Sequence, residues 1–288
     1  MSRAAGFEVA GATGHDGLVA LERRRRLLLA SLVESPETVI SIHVLTRGDC
    51  NVYMSGDRPS KAVAVLQARG WASEPTGFGS DADVLWQALA QVKGWDCVLV
   101  DKDVAPPLGG IISRRLDTPV RLLDDIYHVP GGEVAPFEDV SVRRLALDDL
   151  TLLEGLPTEA QPIGFWGDLQ TSLTEGLIAG AIVEGKVVAT SFVAALGRRY
   201  ADLGVYVLQD HRRRGLATAA ASIVARTAQN DGLIPVWSCG SHNLASLKLA
   251  RKLGFVEVSR RAYVVIEKQA PRDVRNRTYP ARNEGVVQ

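Results

Sequence analysis

Apolar positions along the chain recur with two periods, one helical and one alternating, and the switches between them predict a mixed α/β protein. In the N-terminal half, Leu18, Leu21, Leu28 and Leu32 recur at helical spacing and predict a buried stripe on a helix from about Asp16 to Val33. The Val- and Ile-rich run Thr38–Leu45 reads as a strand, and Asp81 reads as the N-cap of a helix reaching Val92. A short buried strand over Asp96–Asp101, centred on Cys97–Val100, a helix over Leu108–Arg115 and a strand over Pro119–Leu123 follow. The C-terminal half begins with a strand at Val142–Leu145, after which Asp148 is expected to cap a helix through Leu153. Strands over Ile178–Val183 and Val187–Ala194 are joined by Glu184-Gly185-Lys186, a hairpin signal. A strand over Tyr200–Val207, a helix over Arg214–Gln229, a strand over Pro235–Ser238, a helix over Asn243–Leu253 and a long strand over Phe255–Ile266 complete the pattern.

Pro and Gly cluster at Val129-Pro130-Gly131-Gly132-Glu133 and suggest a boundary between a first α/β domain, 1–135, and a second, 141–268. The polar stretch 271–288, with four arginines and no apolar period, reads as a loosely held tail. No repeat is visible in the linear sequence. Apolar residues make up 46% and charged residues 23% of 288, enough for a full core. Formal net charge is zero, so the chain lacks the overall electrostatic pull that nucleic acid or an anionic membrane would require. The basic run Arg23–Arg26 reads as the solvated face of the first helix. Cys50, Cys97 and Cys239 form no CxxC pair, so neither a metal site nor a disulfide framework is expected, and a reducing cytoplasm fits. No apolar run is long enough to span a membrane, and no signal peptide is evident.

The segment with the clearest chemistry is Leu203–Ala217, where a strand ends and the chain turns through Arg212-Arg213-Arg214-Gly215-Leu216-Ala217 into a helix. The first turn of a helix offers free N–H groups and the positive end of the dipole. Gly215 and Ala217 leave that backbone uncovered, and the arginines add fixed positive charge. This is a phosphate-binding turn, without the Gly-Lys-Ser/Thr of a P-loop or the GxGxxG of a dinucleotide fold.

Arg212-x-x-Gly215-x-Ala217 after a strand resembles the pyrophosphate motif of GNAT acyltransferases. The later run from Asn243 through Ser246 to Lys252-Leu253-Gly254-Phe255 is similar to the second motif of that family, in which an Asn opens a helix. The resemblance covers 141–268 and implies a mixed sheet whose two central strands, Tyr200–Val207 and Pro235–Ser238, splay apart to admit the acyl-pantetheine arm of acetyl-CoA, with no metal. It implies that backbone groups of Val205 and Val207 meet the pantetheine and thioester. Amides of Arg213, Arg214, Gly215, Leu216 and Ala217 would hold the pyrophosphate, with Thr218 as a hydroxyl donor. Asn243, Ser246 and Lys252 would flank the coenzyme. Residues 36–130 could be a degenerate GNAT-like half, as in a bacterial subgroup with an N-terminal extension.

The family's usual thiolate-protonating Tyr is replaced by Ala250, and Tyr206 and Tyr263 are strand residues whose packing role competes with a catalytic one. Asp202 stands where some members carry a carboxylate base, and alternation puts Asp202, Gly204 and Tyr206 on one strand face. Cys239 is a pocket-lining candidate, and His128 with Asp124-Asp125 reads as structural. The expected activity is transfer of an acetyl group to a primary amine of a small molecule. Acetylation of a protein amine, or acyl-CoA binding without turnover, are the alternatives. Oligomeric state is left open, a homodimer included.

Overall fold

The structure, a computed structural model, describes residues 15–55, 63–70 and 73–267; the tail 271–288 lies outside them. The first half comprises α1 (His15–Ser31), α2 (Val39–Arg47), β1 (Cys50–Ser55), β2 (Val63–Ala68), β3 (Thr76–Phe78), α3 (Ala82–Leu89), β4 (Cys97–Asp101), α4 (Ala105–Leu116) and β5 (Val120–Pro130). The second comprises β6 (Val142–Arg144), α5 (Leu150–Glu154), α6 (Leu169–Glu175), β7 (Ile178–Val183), β8 (Lys186–Leu196), β9 (Tyr200–Val207), α7 (Leu216–Asn230), β10 (Ile234–Gly240), α8 (Leu244–Lys252) and β11 (Phe255–Ile266). No helix among the described residues is long and apolar enough to cross a membrane.

All the strands join one sheet in the order β1-β2-β3-β4-β11-β5-β10-β9-β8-β7-β6. Read inward from either edge, the order repeats. In the second half β7, β8 and β9 are antiparallel neighbours, β10 lies parallel to β9, and β5 is antiparallel to β10. In the first half β1, β2 and β3 are antiparallel, β4 lies parallel to β3, and β11 is antiparallel to β4. Helix α7 packs on β7, β8 and β9 as α3 packs on β1, β2 and β3. The protein is thus built from two similar halves, and each half has given its last strand to the other. The exchanged strands β5 and β11 pair with each other over their full length at the centre of the sheet. The sheet is therefore continuous across the Pro/Gly cluster. The linker beyond it runs along α7, held where the Val134 N–H donates to Gln229 Oε1 at 2.9 Å and the Phe137 N–H donates to Ser222 Oγ at 3.1 Å.

Three expectations are corrected. Thr38–Leu45 is not a strand but most of helix α2, ended by Gly48 in the left-handed region at φ 74° with its N–H returned to the carbonyls of Leu45 and Val44. A short β-branched run fits either element, and tertiary burial of Val39, His43 and Val44 decided it. The stripe on α1 is only half realised: Leu28 is buried but Leu18 is 60% exposed. Of its arginines, Arg23, Arg24 and Arg26 are solvated, whereas Arg25 turns inward and donates to the Cys50 carbonyl. Asp149, not Asp148, closes the turn before α5, accepting from the Ala146 N–H at 2.9 Å and from the Arg143 guanidinium at 2.6 Å. Those bonds hold its carboxyl below the usual range, the Arg143 bond contributing most.

Candidate active site

Strands β9 and β10 run parallel only from Tyr200/Ile234 to Asp202/Val236. Beyond that pair they diverge, because β10 follows β5 (Trp237–Gly240 against His128–Asp125) while β9 follows β8. The divergence opens a cavity of about 1050 Å³. Leu203 to Tyr206 line it from β9, Trp237 to Cys239 from β10, and Arg212, Asn243 and Ser246 from the elements that follow those strands.

At the Arg212 end lies the turn that the sequence marks as a phosphate-binding candidate. Arg213 (φ 60°) and Gly215 (φ 83°) both adopt left-handed backbone, which directs successive N–H groups to one side. Nothing lies within 4 Å of where a Cβ on Gly215 would stand, so the backbone there is open. The first internal bond of α7 runs from the Ala219 N–H to the Gly215 carbonyl, leaving the N–H groups of Leu216, Ala217 and Thr218 unused by the helix. Arg213 and Arg214 are exposed, and Arg214 reaches His211 Nδ1 at 2.9 Å. Arg212 lines the cavity, and its buried Nε has no acceptor among the described residues. A buried guanidinium nitrogen without a partner is costly, and an anionic ligand is the natural compensation.

The second motif is partly structural. The Asn243 side chain accepts from the Ser246 N–H at 3.1 Å and so caps α8, and the residue lines the cavity. Ser246 is fully buried, its Oγ accepting from Trp237 Nε1 at 2.9 Å, which fixes the indole at the cavity wall. Lys252 is exposed, with Nζ 5.0 Å from the Phe137 ring, away from the cavity lining. Val205 and Val207 send buried side chains into the core beneath α7; Val205 also lines the cavity, and Val207 does not.

On the opposite face of β9, Asp202 is 5% exposed, lines the cavity and accepts from Ser238 Oγ at 3.1 Å. Tyr206 lines the same space and packs among the apolar residues around α5. Cys239 is a buried thiol of the wall and forms no disulfide. Tyr263, on β11, is not among the lining residues. His128 is buried and bonded to the Trp237 carbonyl at 3.2 Å, a structural tie between β5 and β10.

The far wall was not foreseen. It consists of Ile40, Val44 and Arg47 from α2, with Asp49 and Arg69, and of the loop between α5 and α6 with Phe165 and Trp166. Trp166 donates to the Val193 carbonyl at 2.7 Å and carries the Arg47 guanidinium 5.3 Å from its ring. The signal was present in Gly164-Phe165-Trp166-Gly167, two aromatics between glycines in a stretch without clear periodicity.

Residues 139–265 match the family model described as GNAT acetyltransferase. This part of the chain is similar to GNAT acetyltransferases. Within it lie the splayed strands, the turn before α7 and the Asn-capped helix. Over 95 residues the chain is 28% identical to the uncharacterized N-acetyltransferase YdfB of Bacillus subtilis, a match covering 33% of this chain and 36% of that protein. The chain thus spans about a third of the length of that curated relative. Among solved structures, a GCN5-related N-acetyltransferase-like protein from Streptococcus suis superposes with a TM-score of 0.62 at 20% identity, covering 86% of this chain and 99% of that one. A putative GNAT acetyltransferase from Novosphingobium aromaticivorans gives 0.55 at 18% identity, covering 82% and 100%. Both likenesses extend through the N-terminal half as well as the GNAT domain, and at these identities they speak to the fold.

Proposed function

We propose that this protein transfers an acetyl group from acetyl-CoA to a primary amine of a small molecule. The observation that carries the reading is the opening between β9 and β10, which ends at Arg212 and its unpartnered buried Nε. Acetyl-CoA is a substrate here, with its pyrophosphate at the N–H groups before and within the first turn of α7. Its pantetheine arm would follow the free edge of β9, where backbone groups around Val205 and Val207 can bond its amides and polarise the thioester carbonyl.

Asp202 then takes the proton from the acceptor amine, directly or through water, while Ser238 orients the carboxylate. The amine nitrogen forms a bond to the thioester carbon. The carbon–sulfur bond breaks as the tetrahedral intermediate collapses, and the electron pair leaves on the coenzyme's sulfur. Ala250 offers no proton to that sulfur, so solvent supplies it. A thiolate of pKa about 8.5 is a tolerable leaving group without a dedicated acid. The acceptor would enter from the side of α2 and Trp166, so the N-terminal half shapes acceptor choice.

The test is release of free coenzyme A from acetyl-CoA in the presence of a panel of small primary amines, with the product identified by mass. Turnover with a small amine supports the reading. Turnover only with peptide amines moves the acceptor to proteins, and tight coenzyme binding without turnover makes the chain a binding module.

A further inference from the structure

The first half repeats the parallel strand pair that forms the opening in the second, and its fate is different. Strands β3 and β4 pair at the single position Thr76/Leu99 and then part, as β9 and β10 part after Asp202/Val236. By position in the repeat, Gly77 and Phe78 correspond to the stretch of β9 that borders the working cavity. Yet the Gly77 carbonyl already accepts a hydrogen bond, at 2.6 Å, from Arg261 Nη2 on the exchanged strand β11. Arg261 is 3% exposed, its Nε donates to Asp101 Oδ1 at 3.1 Å, and its guanidinium lies 5.1 Å from the Phe78 ring. The other side of the gap is filled by apolar side chains: a Cβ on Gly77 would stand 2.9 Å from Val100 Cγ1 and 3.1 Å from Leu85 Cδ2.

The turn into α3 has changed sign in the same way. Where α7 begins with Arg212-Arg213-Arg214-Gly215, α3 begins with Ser80-Asp81, and the Asp81 carboxylate accepts from the Val84 N–H at 3.1 Å. Asp83 adds a second negative charge in the first turn. A carboxylate of the chain takes one of the N–H groups that a phosphate would need, that of Val84, and repels the phosphate as well.

We infer that the N-terminal half contains a second coenzyme-type cleft, closed from within by Arg261 at its centre and by Asp81 at its anion end, so that the chain carries one acyl-CoA site rather than two. The half has kept the fold for another purpose, since its α2 and the β1 and β2 margins form the far wall of the working cavity. Exchange of β5 and β11 keeps that wall in register: Arg261 closes the first half from a strand that belongs in sequence to the second. This inference goes beyond the proposed function and uses it only to choose the probe.

The test is calorimetric titration of the full chain with coenzyme A, together with Gly215→Glu, Arg261→Met and Arg261→Lys. The expected stoichiometry is one per chain, falling to none in Gly215→Glu. Arg261→Met should melt at a lower temperature than Arg261→Lys. Both should bind coenzyme A within about twofold of the parent, as expected for a change remote from the site. Two sites in the parent, or one retained in Gly215→Glu, would overturn the inference. So would loss of coenzyme affinity in a folded Arg261→Met. Should Arg261→Met fail to fold, the stoichiometry of the parent and Gly215→Glu still decides. A parent that binds no coenzyme at all would strike the proposed function and leave the closed cleft standing.

Discussion

His43 and Leu196, 153 residues apart, are joined through one imidazole nitrogen: the Leu196 N–H reaches His43 Nδ1 at 3.2 Å. The other nitrogen donates to the Phe165 carbonyl at 3.2 Å, and the ring meets Trp166 edge-on at a centroid distance of 4.6 Å. One buried side chain of α2 therefore ties together the helix, the end of β8 and the aromatic loop, and the helix and loop line the cavity. Both bonds need the neutral ring with its proton on Nε2, an assignment made from the hydrogen-bond network.

His43→Leu should remove the acceptor of the Leu196 N–H and the donor to the Phe165 carbonyl, two part-buried hydrogen bonds worth about 0.5–1.5 kcal/mol each. Urea unfolding should show that loss. In the folded fraction the Michaelis constant for the amine should rise while that for acetyl-CoA stays near the parent value. Acidification acts on the same group. Burial lowers the pKa of His43 and of His128 from the ordinary 6.5. Below pH about 6.5 the unfolded chain binds protons that the folded chain refuses, so stability falls as pH falls towards the lowered values. The melting temperature should be flat above pH 7 and decline below it, and the decline should be shallower in His43→Leu. An unchanged slope would remove His43 from the account.

Asp202→Asn keeps the shape of the carboxylate and its acceptor oxygen for Ser238 but removes the base. Turnover should fall by roughly 10²–10⁴-fold, with coenzyme affinity nearly intact. A variant with parental turnover and parental pH–rate profile would make Asp202 a structural residue.

Ala250 stands where the resemblance implies a Tyr, and it is fully buried in the core around α7 and α8. Ala250→Tyr is thus an overpacking change, expected to cost about 1–3 kcal/mol of stability, measurable as a lower melting temperature. Turnover should not rise. A stable variant that gains a hundredfold in rate would mean that the natural chain is catalytically impaired and would favour the binding-module reading.

The parts of this account that were legible in the sequence are those written in a few consecutive residues. The Arg212–Ala217 turn, the Asn243 cap and the Asp81 cap each depend on local backbone chemistry, so a short window is enough. Strands such as Phe255–Ile266 announce themselves by β-branched composition. What could not be read is whatever depends on distant partners. Thr38–Leu45 became a helix because His43 found Leu196 and Phe165, far along the chain. The exchange of β5 and β11 leaves no local mark, since either strand satisfies its backbone equally well against several neighbours. Ser246, expected to flank the coenzyme, instead accepts with its hydroxyl from Trp237, a partner that no local window reveals.

The central claim is that the Arg212–Ala217 turn holds the coenzyme's pyrophosphate, and calorimetry of coenzyme A with a folded Gly215→Glu protein tests it most directly. At φ 83° any side chain is strained, and Glu adds a carboxylate beside the N–H groups that the phosphate would use. The account predicts that coenzyme binding disappears while far-UV circular dichroism stays that of the parent. Unchanged coenzyme affinity in that folded variant would contradict it.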